Sequence, residues 1–168
     1  QDRSSAASDV YKRQAVECIN CGVCYAACDV VSANNDYFGP AALNRAWSLV
    51  NDVKTENKEA ILDAVSGNSG CHNCHSQQNC SNYCPNELNP SASIASLKRK
   101  VFASKIKNLL GGNIKILISG GAALNPEIGN FFNKLNLTLL QGYGQTEASP
   151  LISCNRKFSN DPKTVGPP

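Results

Sequence analysis

"ECINCGVCYAAC", Glu17–Cys28, places cysteines at positions 18, 21, 24 and 28. CxxCxxC followed, after three intervening residues, by another cysteine is the spacing of a cubane iron–sulfur binder, whose last cysteine typically ligates a different cluster. The geometry explains the spacing. Three thiolates on one tight loop cap three irons on one side of a cube, while Cys28, on the turn beyond, points away. Gly22 lets the backbone approach closely, and backbone N–H groups of such a loop donate to the sulfides.

A second group lies in "GCHNCHSQQNCSNYCP", residues 70–85. Three chemistries compete for it. Cys71-His72-Asn73-Cys74-His75 spells CxxCH, the attachment motif of a c-type haem. A haem needs export and a distal ligand, yet the chain has no methionine and both of its 2 histidines lie inside this motif. Zinc is possible, since eight thiols can build two four-thiolate sites, but structural zinc uses well-separated CxxC pairs. The third reading takes Cys74-x5-Cys80-x3-Cys84-Pro85 with the first group by exchange. Cys84 completes the cubane of Cys18, Cys21 and Cys24, and Cys28, Cys74 and Cys80 form a second site. The cysteine of a full CxxCxxC would fall at Gln77, a poor iron ligand, so a three-iron cluster is expected there.

The rest of the composition bounds the answer. A chain of 168 residues is one domain or two small ones. A net charge of +3 is too weak a bias to imply nucleic acid, and Lys98-Arg99-Lys100 reads as a solvated helix face. No apolar run reaches the ~20 residues of a membrane-spanning helix, and no secretory signal is marked. Clustered cysteines without export favour metal over disulfides. Residues 1–14, "QDRSSAASDVYKRQ", carry no apolar periodicity and read as unstructured, artefactual sequence. With no methionine and no closing element, the chain reads as a fragment at both ends.

Two styles of sequence follow one another. Residues 15–104 read as helices and cysteine loops. Phe38-Gly39-Pro40 is a helix start, with Ala42, Leu43, Ala46, Trp47, Leu49 and Val50 at helical spacing. Lys58–Val65 is a short helix with Ile61, Leu62 and Val65 on one face, and Asn89-Pro90 opens another, with Ile94, Leu97 and Val101 inward. Residues 105–168 change period. Residues 114–118, "IKILI", read as a buried strand, Pro126–Leu135 as a helix and 137–141, "LTLLQ", as a second strand. That is a βαβ pattern.

"ECINCGVCYAAC", "GPAALNRAWSLVND" and "NCSNYCPNELNPSASIASLKRK" together resemble the C-terminal domain of the iron–sulfur subunit of succinate dehydrogenase and fumarate reductase, over about residues 15–103. The resemblance implies an α-helical ferredoxin domain. Its four-iron cluster would sit on Cys18, Cys21, Cys24 and Cys84, and its three-iron cluster on Cys28, Cys74 and Cys80. It also implies a flavoprotein partner, a membrane-anchor partner and quinone, at the cytoplasmic side of a bacterial inner membrane. His75 matches a histidine that lies near the quinone. The chain departs from the family at Asp29, where proline is usual, and lacks the loop tryptophan and the two-iron domain. Cys71 has no ligand role in the pattern.

"ISGGAALNPE" and "GYGQTEASPLIS" resemble adenylate-forming enzymes, closest to long-chain acyl-CoA synthetases, over about residues 105–168. The resemblance implies a nucleotide site at Gly142, Tyr143, Gly144, Thr146 and Glu147. The aromatic ring would stack on adenine, the threonine contact the α-phosphate of ATP or AMP, and the glutamate hold Mg²⁺. The upstream phosphate loop, the ribose aspartate and the C-terminal lysine are missing, so no working ligase is expected. The expectation is therefore an α-helical ferredoxin-like domain followed by a partial α/β fragment, a chimera of two families. Electron transfer is its leading function and ATP-dependent fatty acid–CoA ligation the alternative.

Overall fold

The computed structural model describes residues 15–148 and 151–168. The reading of residues 1–14 lies outside the described residues. The chain divides into two units between Phe102 and Ala103.

The first unit is helical. α1 (Val23–Ala26) and α2 (Asp29–Ala33) are single turns carrying the first cysteine loop, and α3 (Gly39–Asn51) is the first long helix. Gly39 opens it with φ 76, and a Cβ there would stand 2.3 Å from the Tyr25 ring, so the start of α3 accepts glycine alone. α4 (Lys58–Ala64) is capped by Asn57, whose Oδ1 accepts from the Ala60 N–H. A 3₁₀ turn (Cys71–Asn73), α5 (Asn79–Asn82) and α6 (Pro90–Leu109) complete the order, and the boundary between units falls within α6.

One apolar core holds this unit together. Leu43, Trp47 and Val50 of α3 meet Ile94, Leu97 and Val101 of α6, with Tyr37, Val65 and Cys71 closing the gaps. Leu43, Ile94 and Leu97 are fully buried, and each such side chain contributes about 1.5–3 kcal/mol by leaving water. Cys28 and Cys74 pack against the edge of this core, so the cysteine loops are anchored on it. Ala42, expected on the inward stripe, is exposed, and Asn44 takes an inward place instead.

The second unit orders its strands β1-β2-β3: β1 (Ile116–Ser119), β2 (Thr138–Tyr143) and β3 (Ser153–Cys154). β1 and β2 are parallel, Ile116 opposite Thr138, joined through α7 (Pro126–Lys134). Asn125 caps α7 by accepting from the Glu127 N–H. Two expectations are corrected here. The sheet has a third, antiparallel strand rather than two strands. β1 is not buried, for Ile116 is 41% and Ile118 63% exposed. The cause is topological. β1 pairs with β2 on one side only among the described residues, whereas a buried parallel strand needs neighbours and covered faces.

Candidate metal centre

The first cysteine loop is shaped by left-handed backbone. Asn20 (φ 56) and Gly22 (φ 77) reverse the chain between Cys18 and Cys24. The N–H groups of Tyr25 and Ala26 both donate to the Gly22 carbonyl at 3.0 Å. Cys18, Cys21 and Cys24 thereby line one hollow, and Cys84 lines it from the opposite wall with Pro85 and Leu88. Its open space is about 410 Å³, including the part continuous with solvent. The Asn86 amide donates to the Glu17 carbonyl at 3.1 Å, joining the loop after Cys84 to the residue before Cys18.

A second hollow, of about 310 Å³, is lined by Cys28, Cys74 and Cys80, together with Tyr37, His75 and Gln77. Cys28 is the residue directly before α2, and Gln78 (φ 67) directly precedes α5, which carries Cys80. Lys98 Nζ donates to the Cys74 carbonyl at 2.6 Å, and Asn79 Nδ2 donates to Asp29 Oδ2 at 3.3 Å. These contacts pull the second cysteine group onto α6 and α2. His75 and Gln77 also line an adjoining open cavity of about 600 Å³, with Asp29, Ala33, Asn34 and Asn73.

Four non-glycine residues of these loops, Asn20, Ser76, Gln78 and Glu87, hold positive φ. Each costs about 1–3 kcal/mol and persists only where surrounding contacts impose it, a pattern concentrated at functional sites. Electrostatics agree with the geometry. Burial first, then the charges of Cys18, Cys80, Cys21 and Cys84, push the Cys24 thiol from 9.0 up to about 11. Thiols that oppose one another's ionisation need a cationic group to become thiolates together. Cys80 belongs to the second hollow yet acts on Cys24 in the first, so the two hollows are close neighbours.

Seven thiols line the two hollows, the donor type that iron–sulfur clusters take. Among the described residues no group of three or more His, Cys, Asp or Glu side chains converges on one ion position. Zinc draws its sulfurs to ~2.3 Å from a single point, whereas a cubane meets each thiolate at a separate iron corner and tolerates wider spacing. Cys71 lines neither hollow; it is buried in the core, where its N–H donates to the Val65 carbonyl at 2.9 Å.

Two polar residues here were not read from the sequence. Asn44 lines the first hollow and is 1% exposed, and neither its Nδ2 nor its Oδ1 has a hydrogen-bond partner among the described residues. The Tyr37 hydroxyl, on the second hollow, is buried beside Cys74. Burial, then the charges of Cys74 and Cys28 and a hydrogen bond with the Cys74 side chain, holds that phenol neutral far above its usual range. An unsatisfied buried polar group costs about 1–3 kcal/mol. The signal for Asn44 was its register, four residues after Pro40 and three before Trp47, on the inward face of α3.

In the second unit, Gly142 and Tyr143 end β2, and Thr146 and Glu147 lie in a 3₁₀ turn (Thr146–Ala148) just beyond Gly144. Gly142 is buried, and a Cβ there would stand 2.9 Å from Leu151. Tyr143, Thr146 and Glu147 are exposed, and Gln145 Nε2 donates to the Tyr143 hydroxyl at 3.1 Å. The structure thus gathers the expected nucleotide residues on one strand end and the turn after it.

The first unit is thus helical with two thiol-lined hollows, and the second is a βαβ unit with a glycine-rich turn after β2. Residues 48–168 match the family model described as AMP-binding enzyme, and the chain belongs to that family. It is also similar to the succinate dehydrogenase iron–sulfur subunit of Paracoccus denitrificans, 40% identical over 83 residues, 49% of this chain and 32% of that protein. The fumarate reductase iron–sulfur subunit of Haemophilus influenzae is 35% identical over 82 residues, 49% of this chain and 32% of that protein. Its Escherichia coli counterpart is 35% identical over 88 residues, 52% of this chain and 35% of that protein. The chain spans about a third of the length of these curated relatives. The AMP-binding match starts inside α3, well before residue 105 where the sequence reading began that resemblance, and so takes in Cys74, Cys80 and Cys84. No helix among the described residues is long and apolar enough to cross a membrane.

Proposed function

We propose that the first unit carries electrons through two iron–sulfur clusters, as part of a succinate dehydrogenase or fumarate reductase type of iron–sulfur subunit. The four-iron cluster would be held by Cys18, Cys21, Cys24 and Cys84, the three-iron cluster by Cys28, Cys74 and Cys80. The observation that carries the reading is the sorting of seven cysteines, from two distant segments, onto two neighbouring hollows. When bound, the clusters supply one-electron redox chemistry.

The chain's own residues then have definable tasks. Gly22 and Asn20 set the loop so that three thiols face one hollow. Lys98 fixes the backbone at Cys74, and Ser91 Oγ, 3.2 Å from Cys80 Sγ, orients that sulfur. The core of α3 and α6 excludes water from the inner side. His75 and Gln77, shared between the second hollow and the open cavity beside it, suit a place where quinone would receive electrons and His75 would hold or pass a proton. A flavoprotein would supply the electrons and a membrane-anchor subunit would hold the assembly, at the cytoplasmic face of a bacterial inner membrane. An α-helical ferredoxin followed by a partial α/β unit, a composite of two families, accommodates both sets of relatives.

The test is anaerobic reconstitution of the chain with iron and sulfide. Broad visible absorbance and two EPR signals, one from the oxidised three-iron and one from the reduced four-iron cluster, are expected. Colourless protein that takes up stoichiometric zinc would overturn the reading. The second reading, an adenylate-forming ligase with ATP and Mg²⁺ at Gly142–Glu147, is favoured by the family match over residues 48–168. For a polypeptide of these 168 residues, weak ATP binding and no acyl-adenylate from fatty acid and ATP are expected. Formation of acyl-adenylate would make ligation the function.

A further inference from the structure

We propose that Asn44 is a tuning residue for the first cluster: its side-chain amide donates a hydrogen bond to a sulfur there and raises the reduction potential. The inference rests on the proposed four-iron site and adds to it a residue that carries no metal. Asn44 stands in the middle of α3, a helix whose other inward residues include Leu43, Ala46, Trp47 and Val50. A buried amide in such a row, with both polar atoms unpartnered, is expected only where something else satisfies it. The hollow that Asn44 lines is otherwise walled by Cys18, Cys21, Cys24, Cys84, apolar residues and the exposed Asn20 and Asn86, whose side chains are given to the Cys18 thiol and the Glu17 carbonyl and do not reach Asn44. The group that enters must therefore bring the acceptor, and sulfides and thiolates are acceptors. Reduction adds negative charge to those sulfurs, so a fixed donor stabilises the reduced state more than the oxidised one. The amide oxygen gains nothing from a cluster, which has no donor to offer, so the amino end is the one that faces it.

The experiment uses the full chain, reconstituted anaerobically, as wild type, Asn44→Leu and Asn44→Ala. Leucine keeps the volume and the apolar lining, and alanine avoids a clash if leucine fits badly. An EPR-monitored redox titration should show the four-iron couple shifted to lower potential in both variants, by about tenfold in the reduced-to-oxidised ratio, ~59 mV for one electron. Deuterium ENDOR of the reduced wild type in D₂O should show an exchangeable deuteron that both variants lose. Asparagine-selective ¹⁵N labelling of the wild type should couple nitrogen to the cluster. Equal potentials and unchanged deuteron spectra in loaded variants would overturn the proposal. Should neither variant load, absence of the ¹⁵N coupling in wild type overturns it and presence supports it. A wild type that assembles no four-iron cluster sinks the parent reading as well, which separates the two failures.

Discussion

The two hollows of the helical unit are built alike and finished differently. Each takes cysteines from both segments, and each is approached by a cysteine separated by three residues from the previous one, Cys28 and Cys84. The first has a thiol in all four expected places. The second has Cys28, Cys74 and Cys80, with Gln77 on its wall. Their buried polar neighbours differ too: an amide beside the first and a phenol beside the second. Under the proposed reading, one repeated loop plan would support two different cofactor stoichiometries, the difference resting on one side chain at the rim rather than on the fold.

The largest expected effect breaks the pairing between segments. Cys84→Ser should abolish the four-iron cluster and leave the three-iron EPR signal of the other hollow in place. Cys80→Ser should do the reverse. Iron content and EPR of both variants decide; if Cys84→Ser removes the three-iron signal instead, the two cysteine groups do not exchange.

Next in size is the conversion of one hollow into the likeness of the other. Gln77→Cys puts a thiol at CxxC spacing from Cys74 and from Cys80. The oxidised three-iron signal should disappear, a second four-iron cluster should form, and its potential should be lower because of the added ligand charge. An unchanged oxidised spectrum would place residue 77 away from the open corner.

A smaller effect concerns the iron-free protein. Asn44→Leu removes two unsatisfied buried groups and should stabilise the apo chain by about 1–3 kcal/mol in urea denaturation. A loss of stability would mean that the amide has a partner in the apo state. Smallest is the pH response of the apo chain. The folded-state thiol of Cys24 titrates near 11 instead of 9.0. Folding therefore favours the protonated form, and that share of stability is intact below pH 9 and lost as pH rises toward about 11. Apo Cys24→Ser should show a flatter denaturation midpoint over that window; an identical slope would contradict the assignment.

How much of this was legible in the sequence follows from which forces act locally. The helices beginning near Gly39, Lys58 and Pro90 were readable, because capping residues and apolar spacing are local properties. The left-handed turn at Gly22 could be anticipated for the same reason. The exposure of β1 could not. Ile116 and Ile118 look like core by composition, and only the count of neighbouring strands says otherwise. β3 is two residues long and paired through a turn, below what alternation can reveal. Asn44 and Tyr37 escaped notice because polar residues in amphipathic stretches are normally solvated. Their burial is set by the packing of α3 against elements far away in sequence.

The proposed exchange of cysteines between segments would also make each cluster a cross-link. A group bound to Cys24 and Cys84, or to Cys28 and Cys80, closes a long loop, as a disulfide does, and restricts the unfolded chain accordingly. Folding and cofactor insertion then become one thermodynamic event. Oxidative loss of iron would cut the staples and leave the strained turns at Asn20, Ser76, Gln78 and Glu87 held by protein contacts alone. The damaged chain would be marked for proteolysis by the same loops that held the metal.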